Sequence, residues 1–269
     1  MVKTPQPIIR LEDVSKRFNG QRVLDHLTLD VRRGQTTVII GPSGCGKTVL
    51  LKHMIGLLRP DRGRVFFDGQ DITRLSERAL VPIRQRMGFV FQSNALFDSM
   101  TVAQNIHFPL IEHQRRRPTR QELDERTGEV LRLVGLEGMQ DKMPEELSGG
   151  QKKRLALARG IALRPEVILY DEPTTGLDPI RADLINELIL HLQAELKTTA
   201  VVVTHDMDSA RKVADRIVML YEGKLLADTT PAGLREVRND TVARFVEGRA
   251  TSEELSRLLA RPTSQGNQT

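Results

Sequence analysis

The eight residues Gly41-Pro42-Ser43-Gly44-Cys45-Gly46-Lys47-Thr48 constrain this chain more than any other feature. They fit the pattern G-x-x-x-x-G-K-[ST], and their flanks fit it too. The β-branched run from Gln35 to Ile40 reads as a buried strand stopping at a glycine. The apolar stretch from Lys47 to Leu58 reads as a helix closed by Pro60 and Gly63. A strand feeding a helix through such a turn points backbone N–H groups around a phosphate, and the helix start adds a favourable dipole. Lys47 then reaches the β- and γ-phosphates of a nucleotide, and the Thr48 hydroxyl can bind Mg2+.

A metal ligand and a base should follow on a second strand. Val167-Ile168-Leu169-Tyr170-Asp171-Glu172 supplies both, with carboxylates at the C-terminal edge, where ligands bind in open α/β sheets. Asp171 is expected to hold Mg2+ and Glu172 to orient or deprotonate the attacking water. Strands over 8–18 and 23–31 precede the loop, and Leu27, Leu29 and Val31 alternate with polar residues. Asp68-Gly69 marks a tight turn between short strands, and Met87 to Phe91 is a further strand. Residues 101–114 and 119–134 read as helices, the second with Leu123, Thr127, Val130, Leu131 and Val134 on one face. Strand 167–171, helix 180–197, strand 200–204, helix 207–215 and strand 216–220 then imply a mainly parallel sheet. The block from about 92 to 163 is a helical lobe inserted in that core.

Composition narrows the setting. No apolar run approaches the roughly 20 residues that span a bilayer, and the first 18 residues lack the apolar region of a signal peptide. A single cysteine, Cys45, excludes an intramolecular disulfide and fits a reducing cytosol. A net charge of +5 is compatible with nucleic acid, an anionic membrane or polyphosphate. The one tight basic run, Arg115-Arg116-Arg117, reads as a solvated helix end. Cys45 sits beside a helix start that can lower a thiol pKa, although a small loop-filling role is the simpler reading.

Leu147-Ser148-Gly149-Gly150-Gln151 precedes a helix from Lys152 to Leu163, with Ser148 placed as its N-cap. This is a second anion-binding helix start in a chain with one phosphate loop. An economical solution is that each copy offers it to the nucleotide of another copy.

With these motifs in this order, the chain resembles the ATP-binding cassette (ABC) ATPases over roughly residues 6–230. The resemblance rests on the phosphate loop, Gln92, LSGGQ, the YDEP strand, Thr175-Gly176-Leu177-Asp178, and His205 after a β-branched strand. It implies an α/β fold, a RecA-like core (about 6–91 and 164–230) with a helical subdomain (about 92–163) in one ATP-binding domain spanning 6–248. It further implies a head-to-tail dimer holding two ATPs with Mg2+. Ser148 and Gly150, within Ser148–Gln151, would bind the γ-phosphate across that interface, and Asp178 would link the two sites. His205 would contact the γ-phosphate and the attacking water, and Gln92 would touch Mg2+ and sense a transport partner. Phe18, before Asn19-Gly20, is read as stacking on adenine rather than as a core residue. Gly41, Ser43, Gly44, Cys45, Gly46, Lys47 and Thr48 would line the nucleotide. His26, His53, His107, His113 and His191 fall outside the pattern and read as structural or surface residues.

Phe91 to Ile106, FQSNALFDSMTVAQNI, is loop-like yet carries Leu96, Phe97 and Met100. The resemblance implies that it begins a groove receiving a short permease helix. Its wording, with NIHFPLIEH after it and TPAGLREVRNDTVARFVEG at 230–248, is similar to the cassettes of MCE-type lipid transporters, including the maintenance-of-lipid-asymmetry (Mla) type, where a short helix precedes a Phe and Gly. That implies an MlaE-type permease dimer, a STAS-domain protein, a periplasmic MCE-domain protein, phospholipid as indirect cargo, and a peripheral place on the cytoplasmic face of the inner membrane. The alternative is another ABC transporter such as an amino-acid importer; nucleic acid is not expected as a partner. The extension at 249–269 holds Leu255, Leu258 and Leu259 at amphipathic-helix spacing.

Overall fold

The computed structural model describes residues 6–113 and 118–249. The Arg115–Arg117 run and the leucines of the extension lie outside them. Two sheets sandwich one core. The larger has the order β10-β9-β3-β8-β7-β6, formed by β3 (Thr36–Ile40), β6 (Met87–Val90), β7 (Val167–Asp171), β8 (Thr199–Thr204), β9 (Arg216–Tyr221) and β10 (Lys224–Thr229). All its pairings are parallel except the edge pair β9–β10. The first strands do not join it. β1 (Ile9–Phe18), β2 (Gln21–Val31), β4 (Arg62–Phe67) and β5 (Gln70–Asp71) form a separate antiparallel sheet in the order β2-β1-β4-β5.

Strand parity assigns each side chain to a layer. Ile39, Val167, Leu169, Val201 and Val203 face the antiparallel sheet and Leu50, Leu51 and Met54 of helix α1 (Lys47–Met54). Their neighbours Val38, Ile40, Ile168, Tyr170, Ala200 and Val202 face the helices on the opposite side. A strand buried on both faces favours apolar residues on both, which is why residues 38–40, 167–170 and 200–203 read as continuous runs.

Between β6 and β7 lie α3 (Val102–His113), α4 (Arg120–Leu133) and α5 (Gly149–Ile161). Thr119 and Glu122 close a capping box at the start of α4, and Leu123, Thr127, Val130 and Leu131 are buried along it. After β7 come α6 (Pro179–Leu196) and α7 (Met207–Val213), on either side of β8.

Several expected boundaries shift for local reasons. Helix α1 stops at Met54, not Leu58, because Gly56 takes φ 70° against the Leu80 side chain. A helix not read from sequence, α2 (Glu77–Arg84), is capped by Ser76 and was hidden by Pro82 inside it. Strand β10 was also unread; of the short helix expected before a Phe and Gly, the structure has a 3-10 turn at Gly233–Glu236 and helix α8 (Asp240–Glu247), which contains Phe245 and is ended by Gly248 at φ 66°.

Candidate nucleotide site

The two tight glycines of the phosphate loop are required by the chain's own packing. A Cβ at Gly41, φ 154°, would lie 2.1 Å from the Leu220 carbonyl oxygen and 2.8 Å from Cys45 Sγ. One at Gly46, φ 106°, would lie 3.0 Å from the Val23 carbonyl oxygen. Gly44 has open space but φ 79°, and Ser43 is exposed beside it. Gly46 is the N-cap of α1 and has no side chain to accept from the first turn, so those N–H groups remain for an anion. Lys47 is buried and donates from Nζ to the carbonyls of Gly41 (2.8 Å) and Pro42 (3.0 Å). Burial pushes the Cys45 thiol up, opposite to the activation considered from sequence, and its half-buried side chain packs against the core beneath the loop.

Asp171 and Glu172 meet this loop from the end of β7. Thr48 Oγ1 donates to Asp171 Oδ1 at 2.9 Å. Lys47 Nζ lies 3.8 Å from Glu172 Oε1. Glu172 Oε2 accepts the Thr175 hydroxyl at 3.2 Å and lies 3.0 Å from His205 Nδ1. Both carboxylates are buried, and burial, reinforced by Glu172, raises the Asp171 pKa. A divalent cation beside Asp171 would reverse that balance, and its carboxylate with the Thr48 hydroxyl forms a hard-oxygen set suited to Mg2+. Glu172 adopts φ 51°, an uncommon conformation for a non-glycine residue, while its N–H still bonds the Val203 carbonyl at 2.9 Å. This turn holds the carboxylate at the strand end, aimed by three neighbours, as a general base requires.

The predicted residues do not all converge. Gln92 is exposed; the group held is its carbonyl, which accepts from Lys153 Nζ at 2.8 Å. Among the described residues its side chain has no hydrogen bond to Thr48 or Asp171. Lys153 was missed by sequence reasoning, although its place three and four residues before Ala156 and Leu157 put it on the buried face of α5. Burial lowers its pKa, against the opposing pull of Asp171 and Glu172. Farther along, Arg159 donates to the carbonyls of Asn94 and Ala95 and lies 5.4 Å from the Phe97 ring. Phe97 also packs on Phe108, and Asn105 bonds the backbone of Phe97, Met100 and Thr101. Leu96, Phe97 and Met100 are half-buried.

Ser148 caps α5 as expected. Its Oγ accepts from Gln151 N–H, and its own N–H donates to Gln151 Oε1 at 2.8 Å. Gly149 and Gly150 have ordinary negative φ, and a Cβ on either would meet nothing within 4 Å. Among the described residues, Ser148–Gln151 shares no hydrogen bond or ion pair with the phosphate loop. Asp178 caps α6 by accepting from Arg181 N–H at 3.0 Å. Phe18 is 40% exposed, with Lys16 Nζ 5.5 Å from its ring centre, so it is not a core residue.

Residues 24–175 match the ABC transporter family model. The intermembrane phospholipid transport ATP-binding protein MlaF of Haemophilus influenzae is 40% identical over 90% of this chain and 91% of its own length; MlaF of Escherichia coli K12 is 40% identical over 90% and 89%. The probable ribonucleotide transport ATP-binding protein mkl of Mycobacterium leprae is 41% identical over 90% of this chain and 69% of its own. The dimeric ATP-binding cassette MJ0796, in a post-hydrolysis state with ADP and phosphate, superposes with a TM-score of 0.76 at 34% identity, over 83% of this chain and 98% of that one. With its nucleotide loop, paired carboxylates and capped glycine helix in one fold, this chain belongs to the ABC transporter family as an ATP-hydrolysing cassette.

Proposed function

We propose that this chain energises intermembrane phospholipid transport by hydrolysing ATP in a head-to-tail dimer. The observation that carries the hydrolytic half is the convergence of Lys47, Thr48, Asp171, Glu172 and His205 at one strand end. Gly41, Ser43, Gly44, Cys45, Gly46 and Lys47 cradle the phosphates, and Phe18 stacks on adenine. Thr48 and Asp171 would hold Mg2+, which would neutralise phosphate charge, and the exposed Gln92 side chain would have to turn in to join them. Glu172 accepts the proton of the attacking water, and His205 steadies that carboxylate and the water. Residues 92–163 act as the helical subdomain of the 6–248 domain.

The second half of each site comes from the other copy. Gly149 and Gly150 serve no conformational or packing need of their own chain, so their missing side chains leave room for an approaching phosphate group. Ser148, Gly150 and Gln151 contact it, and Asp178 links the two sites. Ile180 and Leu184, 76% and 63% exposed beside Asp178, give the apolar surface that such an association would cover.

The cargo reading rests on the likeness to MlaF proteins along nearly their whole length. It carries a permease dimer, a STAS-domain protein, an MCE-domain protein and a peripheral place at the inner membrane; among the described residues no helix is long and apolar enough to cross a membrane. The docking place for a permease helix is the groove of about 720 Å³ bordered by Met100, His107 and Phe108; Leu96 and Phe97 do not line it, and Phe97 supports it from behind through Phe108. Tagging the chain, extracting it from native membranes in mild detergent and identifying copurifying proteins and lipids by mass spectrometry tests this. An MCE protein, a STAS protein and phospholipid are expected; an importer permease with a solute-binding protein would leave the ATPase and remove the lipid.

A further inference from the structure

Three polar side chains with no place in the motifs are buried between α6 and α7. Asn186, Ser209 and Thr174 are 4%, 3% and 6% exposed. Asn186 Nδ2 donates to Ser209 Oγ at 2.8 Å, Ser209 Oγ lies 2.5 Å from Asp206 Oδ2, and Thr174 Oγ1 lies 3.4 Å from the same Ser209 oxygen. Proton counting fixes the directions. A carboxylate only accepts, so the single Ser209 proton goes to Asp206. Its two lone pairs then accept from Asn186 and from the Thr174 hydroxyl. The other Asp206 oxygen accepts from Asp208 N–H at 3.0 Å, and Asp206 N–H donates to Thr204 Oγ1 at 3.0 Å. The Ser209 hydroxyl thus uses its proton and both lone pairs, and its link to Asp206 is charge-assisted.

The node has a specific address. Asp206 follows His205 directly. Thr174 lies two residues after Glu172 and precedes Thr175, whose hydroxyl bonds the Glu172 carboxylate. It therefore joins, from behind, the two segments whose front sides meet in the 3.0 Å contact of His205 with Glu172. An apolar core would hold α6 against α7 equally well; only a directional network fixes the relative placement of the two loops.

We propose that Asn186 and Ser209 are positioning residues for hydrolysis, setting the His205–Glu172 contact without touching nucleotide. This rests on the catalytic reading of His205 and Glu172. The test is a double-mutant cycle on the full chain, with steady-state ATPase kinetics, nucleotide affinity and melting temperature measured for each member. Ser209→Ala is expected to lower kcat about tenfold, within the range of coupled neighbours, and to leave KM for ATP within about twofold. Asn186→Ala should behave alike, and Ser209→Thr, which keeps the hydroxyl, should recover most of the rate. In a His205→Ala background, Ser209→Ala should cause no further loss. Losses that multiply in that background, or a raised KM with unchanged kcat, would overturn the proposal by making the node a general packing element. An unaltered rate for His205→Ala alone would instead remove the catalytic reading, and the inference with it.

Discussion

The molecule has two glycine-bearing helix starts, and they need glycine for opposite reasons. At α1, Gly41 and Gly46 meet their own chain: a Cβ would strike Leu220 or crowd Val23. At α5, Gly149 and Gly150 meet nothing. The first helix has no side-chain cap and leaves its N–H groups for a ligand, next to a lysine, a threonine and two carboxylates. The second is capped by Ser148 and Gln151, and among the described residues neither Asp171 nor Glu172 is bonded to that cap. A glycine explained by its own fold belongs to a self-built cradle. Gly149 and Gly150, which their own fold does not require, leave open space at a helix start, and the occupant proposed for it is the nucleotide of another copy.

The sharpest test of the first region is Glu172→Gln. It should lower kcat by about 10²–10⁴ while leaving ATP bound, measured by single-turnover hydrolysis and nucleotide titration. The second region is probed by Gly150→Ala. Hydrolysis should fall about 10²-fold, the scale of one lost preorganised contact, yet the melting temperature should hold or rise, because alanine favours a helix by about 0.5–1 kcal/mol over glycine. Gly41→Ala should do the reverse to stability, costing about 1–3 kcal/mol by overpacking against Leu220, seen as a lowered melting temperature. Equal stability effects at Gly41 and Gly150 would erase the contrast. The smallest expected change is for Phe18→Ala, which should weaken nucleotide binding by about 1 kcal/mol, the lower end of aromatic stacking on a base, without moving the melting temperature, since the ring is 40% exposed.

What could be read from sequence was local. The phosphate loop, the strand ending in Asp171 and the Ser148 cap each depend on a few consecutive residues and emerged where expected. Helix α2 was lost because Pro82 breaks the usual pattern, and the end of α1 because Gly56 stops it before Pro60 is reached. The two N-terminal strands pair with each other across Asn19-Gly20, a local signal, but the other neighbour of β1 is the distant β4, so their separation into a sheet of their own was not legible. At the site, the turn that puts Glu172 at φ 51° and the bond from Lys153 to the Gln92 carbonyl are tertiary facts. Asn186 and Ser209 are 23 residues apart and meet only when α6 and α7 dock.

The central claim, that a second copy completes each nucleotide site, is tested most directly by light scattering on Glu172→Gln eluting from a sizing column with MgATP. The account predicts a dimer with ATP that reverts to monomer without it, and a monomer that still binds ATP when Ser148→Arg is added. A Glu172→Gln chain that stays monomeric while saturated with ATP, or a dimer indifferent to Ser148→Arg, would contradict it.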